Sequence, residues 1–163
     1  MLNYKDMYKV LTQVEACLNS RPLTQLSSDP NDLSALTPGP FLVGDAMNAI
    51  REDNLSQETT SHLSKWKQMQ RAVQIFWKRW SMEYLCRLQQ RPKWMFKQPS
   101  LQIGDLVLLR DERLPPLKWK LARMIDIHPG PDLLVRIFTI KTSDGTLKRH
   151  LSKLCPLPID TNN

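Results

Sequence analysis

The chain has 163 residues, 41% of them apolar, and a net charge of +7 from 23 Lys and Arg against 16 Asp and Glu. That length fits one domain or two small ones, and the apolar share supports a modest core, which excludes a wholly disordered chain. No run approaches the ~20 apolar residues of a membrane span, and the first residues lack a basic stretch followed by an apolar one, so neither a transmembrane helix nor a signal peptide is expected.

Cys17, Cys86 and Cys155 form no disulfide framework. They point to a reducing compartment, nucleus or cytoplasm, rather than to secretion. Five glycines leave little room for a Gly-rich phosphate loop. Charge is unevenly spread: residues 1–60 carry net −4, residues 61–98 net +8 with Glu83 the one acid, and residues 99–163 net +3. A weakly acidic front and a strongly basic middle suggest a segment that faces a polyanion.

In chain order, Met7, Val10, Leu11, Val14 and Leu18 form one apolar stripe at helical period, which predicts a first helix ending at Asn19-Ser20-Arg21 before Pro22. Residues 22–36 read as loop, with Ser27-Ser28-Asp29-Pro30-Asn31-Asp32 as its turn cluster. Thr37-Pro38 caps a short helical turn through Phe41-Leu42-Val43, ended by Gly44. Residues 45–57 are polar and read as loop. Neither Pro nor Gly occurs from Asp45 to Arg91, and a long amphipathic helix is predicted over roughly 58–91. Leu63, Trp66, Met69, Val73, Phe76, Trp77, Trp80, Tyr84 and Leu88 share a face about 140° wide, with Lys67, Arg71 and Lys78 on the adjacent flank.

The period then changes from helix to strand. Ile103–Leu109, Trp119–Ile127, Leu133–Lys141 and Thr146–Leu151 read as strands, with a short fifth at Leu154-Cys155-Pro156-Leu157. Ser143-Asp144-Gly145 has hairpin-turn chemistry. The predicted fold class is α+β: an N-terminal helix and a long amphipathic connecting helix, then a small SH3-like β-barrel of four to five strands. The expected divisions are 1–57, 58–98 (helix and linker) and 99–158 (barrel), with 159–163 as a disordered tail.

Catalytic chemistry finds little support. His62, His128 and His150 have no cysteine or second histidine at ligand spacing, so no zinc site, and no other metal or cofactor, is expected. Cys17 beside the first stripe reads as a small hydrophobe rather than half of a thiol–histidine dyad. Asp29 with Asp32, or Glu52 with Asp53, read as turn formers or solvated charge rather than metal ligands.

Nucleic acid is the better fit. Lys67, Arg71, Lys78 and Arg79 on the helix, with Lys118, Lys120, Arg123, Arg136, Lys148 and Arg149 in the barrel, are the candidate phosphate contacts. The plain alternative for the helix is a solvated basic face. Trp94 and Phe96, between Lys93 and Lys97, either stack on bases or pack the linker. Trp66, Val73, Trp77, Trp80 and Tyr84 form the candidate protein interface, because three tryptophans on one helix exceed what so small a chain readily covers.

A family resemblance rests on ordered motifs over residues 8–158. The segments are Val14-Glu15-Ala16-Cys17-Leu18-Asn19-Ser20-Arg21-Pro22-Leu23-Thr24, Leu26-Ser27-Ser28-Asp29-Pro30-Asn31-Asp32-Leu33, Ala35-Leu36-Thr37-Pro38-Gly39 and Phe41-Leu42-Val43-Gly44. They continue through Phe76-Trp77-Lys78-Arg79-Trp80-Ser81, Tyr84-Leu85, Leu88-Gln89-Gln90-Arg91-Pro92-Lys93-Trp94, Gly104-Asp105-Leu106-Val107 and Leu114-Pro115-Pro116-Leu117-Lys118-Trp119. Leu121-Ala122-Arg123, Val135-Arg136, Lys141-Thr142, Gly145, Lys148-Arg149 and Lys153-Leu154-Cys155 complete them. This order resembles the integrase of Pao/BEL retrotransposon polyproteins, from the end of its core into its C-terminal domain of unknown function.

The resemblance implies an RNase H-like core upstream, whose two Asp and one Glu bind divalent metal. It places those acids before this chain, so Glu15 is not one of them and no catalytic residue is expected here. Residues 1–57 would be the last helix and tail of that core. DNA, self-association and packing on an upstream integrase core are the implied partners, with no membrane. Four positions depart from the family pattern: Lys120, His150 and Gln25 stand where proline is expected, and Pro40 where histidine is expected. Three readings stay open: a non-catalytic DNA-holding and assembly tail, a peptide- or chromatin-binding barrel with Trp119, Phe138 and Trp94 as its aromatic groove, and a decayed open reading frame.

Overall fold

The computed structural model describes residues 3–44, 54–55, 64–89, 101–131 and 135–158. It is a mixed α+β chain that divides into two compact units. One comprises the residues up to Arg21, Thr37–Met82 and Glu112–Lys118; the other comprises Pro22–Leu36, Glu83–Asp111 and the residues from Trp119 onward.

In the first unit, α1 spans Tyr4–Asn19. It starts on a capping box: the Asn3 side chain accepts from the Asp6 N–H at 2.9 Å, and the Asp6 carboxylate accepts from the Asn3 N–H at 3.1 Å. At the other end the Ser20 hydroxyl and the Arg21 guanidinium cap the Cys17 and Leu18 carbonyls. Of the apolar stripe that predicted this helix, Met7 and Leu11 are 45% and 59% exposed, with Tyr4 and Tyr8 open beside them, while Val10, Val14 and Leu18 are half-buried. α2 is Gly39–Val43, with Pro38 rather than Thr37 at its N-cap and Gly44 closing it at φ 76°. Phe41, Leu42 and Val43 lie exposed.

α3 runs Lys65–Gln89. The Ser64 carbonyl accepts the Gln68 N–H at 2.9 Å. The predicted start at residues 58–63, with Leu63, lies outside the described residues, as does the end at Arg91. Met69, Val73, Trp77, Ser81 and Leu85, each four residues after the last, are buried, and so is Gln74 beside them. The five at this spacing form an i, i+4 ridge, inclined to the helix axis. Within the first unit the Trp77 indole donates to the Leu114 carbonyl at 3.1 Å, and the Gln74 side chain accepts the Leu55 N–H at 2.8 Å.

The second unit is built on five antiparallel strands, β3 (Leu106–Leu109), β4 (Leu121–Pro129), β5 (Val135–Thr142), β6 (Gly145–His150) and β7 (Leu154–Pro156), in the order β6-β5-β4-β3-β7. A 3-10 turn over Leu151–Lys153 carries the chain from β6 to β7. Val107, Leu109, Ala122, Met124, Phe138, Ile140 and Leu154 form the core on one face. By strand alternation Leu106, Leu108, Arg123 and Cys155 belong to the other face, and they are buried too. A closed barrel was expected; the described sheet is open, since β6 and β7 are both edges and β7 is only three residues long, ended by Pro156 without an N–H.

Residues 22–36 are a second departure from expectation. They form a two-stranded hairpin, β1 (Thr24–Gln25) with β2 (Ala35–Leu36), rather than plain loop. Ser27, Asp29 and Asp32 side chains each accept a backbone N–H two residues on, which fixes the turn cluster between the strands. The hairpin is fastened to β4 and β5 by Arg123 and Lys141, as described next.

Candidate nucleic-acid interface

On α3, Lys67, Lys78 and Arg79 are exposed, Arg71 is half-buried, and Glu83 is the lone acid of the helix. Lys65 and Arg87, absent from the predicted set, are exposed as well. The helix therefore presents cations along its outer surface while its ridge of buried residues faces inward.

In the sheet unit, Arg136, Lys148 and Arg149 are exposed on β5 and β6, two strands that hold no acid. Register pairs Arg149 with Phe138 and Lys148 with Thr139. Arg136 is thus a diagonal neighbour of Arg149 on the core-side rim, and Lys141 of Lys148 on the opposite face. Lys141 is also absent from the predicted set, and its ammonium donates to the Asn31 side chain at 2.6 Å. Lys120 is ion-paired with Asp144 at 2.8 Å. The Lys120 ammonium, by hydrogen bond and then by charge, holds the Asp144 carboxyl below its usual range, with Ser143 helping. Lys118 is exposed in the other unit.

Arg123 must be removed from the phosphate-contact set. It is 2% exposed, and its guanidinium donates to the carbonyls of Gly104 (2.7 Å), Asp32 (2.7 Å) and Ser27 (3.2 Å) and, at 3.4 Å, to the Gln25 side chain. A charge enclosed by four acceptors is taken up inside the fold. Alternation along β4 could not reveal this, because the hairpin that covers Arg123 lies about a hundred residues earlier in the chain.

The expected protein interface also divides. Val73 and Trp77 are buried within this chain. Trp80 stacks on Phe76 with ring centroids 6.2 Å apart and tilts against Trp77 at 5.8 Å. Tyr84 donates to the Pro22 carbonyl at 2.9 Å and meets Trp119 edge-on at 5.5 Å. Trp66 is 51% exposed. The apolar surface that sequence reasoning missed is on α1 and α2. The aromatic groove is not assembled among the described residues: Phe138 is in the core, Trp119 packs on Tyr84, and Trp94 lies outside them, as do Phe96, Glu52 and Asp53.

Among the described residues no three His, Cys, Asp or Glu side chains gather as a metal site. His128 bonds the Thr139 hydroxyl at 2.6 Å, and His150 bonds Ser152. Burial pushes the Cys17 thiol up to about 11 and the Cys155 thiol up to about 12, which keeps both protonated and weakly nucleophilic. No helix among the described residues is long and apolar enough to cross a membrane.

No curated protein and no solved structure matches the chain. One family model does, over residues 64–157, which takes in α3 and the whole five-stranded sheet and exceeds half of the chain. By that match the chain belongs to the DUF5641 family, a family of unknown function.

Proposed function

We propose that this chain is a non-catalytic, DNA-holding and assembly segment of a Pao/BEL-type retroelement integrase. The observation that carries the reading is the placement of exposed cations on two acid-poor elements: Lys67, Lys78 and Arg79 on α3, and Arg136, Lys148 and Arg149 on the β5–β6 hairpin. Side chains of this kind meet phosphates without reading base edges, so binding is non-specific in sequence and steeply dependent on salt. Strand order β6-β5-β4-β3-β7, with a 3-10 turn before the last strand, supports an SH3-like sheet as the DNA-holding module. Family membership supports the integrase setting. The assembly half of the proposal draws on the uncovered α1 stripe of Tyr4, Met7, Tyr8 and Leu11, an apolar face suited to packing on an upstream core.

The test is titration of the full chain with duplex DNA at several salt concentrations. A linear fall of log affinity with log salt, weakened by charge reversal at Lys67, Lys78, Lys148 and Arg149, is expected. A folded sample that fails to bind duplex DNA at ~50 mM salt overturns the DNA reading.

A further inference from the structure

The two edges of the sheet are unlike. β7 has three residues, ends at Pro156, and has the Leu154 carbonyl taken by the Gln89 side-chain amide at 3.1 Å; the same amide takes the Ser152 carbonyl at 2.7 Å. β6 has six residues, no proline and no bulge, and nothing among the described residues pairs with its outer side.

Register says which groups that outer side offers. The two-residue turn Ser143–Asp144 follows the Thr142 to Gly145 pair, and turns of that length close on a hydrogen-bonded pair. Leu147 and Arg149 therefore bond to β5, while Thr146, Lys148 and His150 turn their backbone N–H and C=O outward. The Lys148 carbonyl is met by the Arg149 guanidinium at 3.0 Å. The three outward N–H groups have no acceptor among the described residues.

Charge selects the occupant. β5 and β6 carry Arg136, Lys141, Lys148 and Arg149 and no acid. A second copy of β6 would set Lys148 and Arg149 against themselves, and like charges across an edge repel. We propose that the β6 edge is a strand-addition site for an extended acidic segment of a partner protein. The segment joins the ladder through Thr146, Lys148 and His150 while its carboxylates meet Lys148 and Arg149. This site shares Lys148 and Arg149 with the DNA reading but differs from it in using the backbone edge of β6 and a protein partner.

The probe is a decapeptide alternating glutamate with threonine or valine, added to the full chain and followed by amide exchange in NMR. Exchange at Thr146, Lys148 and His150 is expected to slow about tenfold or more, with Leu147 and Arg149 unchanged. The same peptide N-methylated on its β6-facing amides keeps its charge and is expected to bind about tenfold more weakly. Lys148→Pro removes one outward donor, leaves the β5 ladder whole, and should weaken binding likewise. If that variant does not fold, the N-methylated peptide decides the question alone. Equal binding of both peptides without protection of the three amides, or no peptide binding at all, overturns the proposal. Protection of those amides by duplex DNA and not by peptide overturns it as well.

Discussion

Arg123 and Asp32 are 91 residues apart in sequence and joined by a 2.7 Å hydrogen bond from guanidinium to main-chain carbonyl. With the Gly104 and Ser27 carbonyls on the same guanidinium, one side chain ties the hairpin of residues 22–36 to β4. Arg123→Met leaves these part-buried carbonyls without their donor, and a loss of about 2 kcal/mol is expected. Arg123→Lys keeps the charge but not the planar fork, and recovers less than half of it. Urea unfolding measures both, and proteolysis within residues 26–34 should appear in each variant before global unfolding.

The Lys120–Asp144 pair gives a pH signature. Asp144 has its folded value depressed below the ordinary 3.8, first by the hydrogen bond from Lys120 and then by its charge. Asp32 is lowered as well, by its side-chain and backbone bonds to Ser34 before any effect of Arg123. A depressed carboxylate stabilises the fold above its unfolded value and loses that contribution as pH falls through the folded value. Melting temperature should therefore drop from about pH 4 downward, and less steeply in Asp144→Asn. Because Asp144 is open to water, the difference is small and shrinks further at high salt.

Two tryptophans on α3 should respond in opposite ways. Trp77 is 3% exposed and bonded to the Leu114 carbonyl, whereas Trp66 is half in water. Trp77→Phe leaves a void and a stranded acceptor, and should cost about 2 kcal/mol. Trp66→Ala should change stability by less than about 0.5 kcal/mol. Equilibrium unfolding of the two variants checks the contrast, and equal losses would contradict the buried ridge.

Local signals made most elements legible. The Pro22 stop, the Gly44 closure, the breaker-free run of α3 and the Ser143–Asp144 turn each act within a few residues, and each is found where expected. Long-range relations were not legible. Periodicity announced that the Met7–Leu11 stripe is apolar but not whether this chain covers it. For α3 it predicted a face about 140° wide, of which Met69, Val73 and Trp77 are buried while Trp66 is exposed. Arg123 reads in sequence as one more surface cation, because its acceptors come from a hairpin whose short side-chain-capped turn resembles loop. That β5 and β6 hold cations and no acid is readable from the sequence alone.

Thiol chemistry checks the burial pattern independently. Cys86 is exposed, whereas Cys17 and Cys155 are enclosed and their thiols raised, chiefly by burial. At pH 8 in native buffer one thiol per chain should react quickly with an aromatic disulfide reagent, and the other two only on unfolding. Cys86→Ser should abolish the fast phase. A fast phase of two thiols would place Cys17 or Cys155 nearer solvent than described.

Salt dependence can separate cations that meet phosphate from those already engaged. Each phosphate contact removed lowers the slope of log affinity against log salt by about 0.9 on duplex DNA. Lys67→Gln, Lys78→Gln and Lys148→Gln should each reduce the slope by that order, because these ammonium groups are exposed. Lys120→Gln should leave it nearly unchanged, since Asp144 already neutralises that charge at 2.8 Å. Arg123→Met is uninformative for binding until its loss of stability is corrected for, so affinity must be read where the variant remains folded. A slope reduced equally by Lys120 and Lys148 substitutions would mean that total charge, not placement, governs binding. In that event the acid-free hairpin would lose its special role, and the proposed interface would shrink to a uniformly cationic surface.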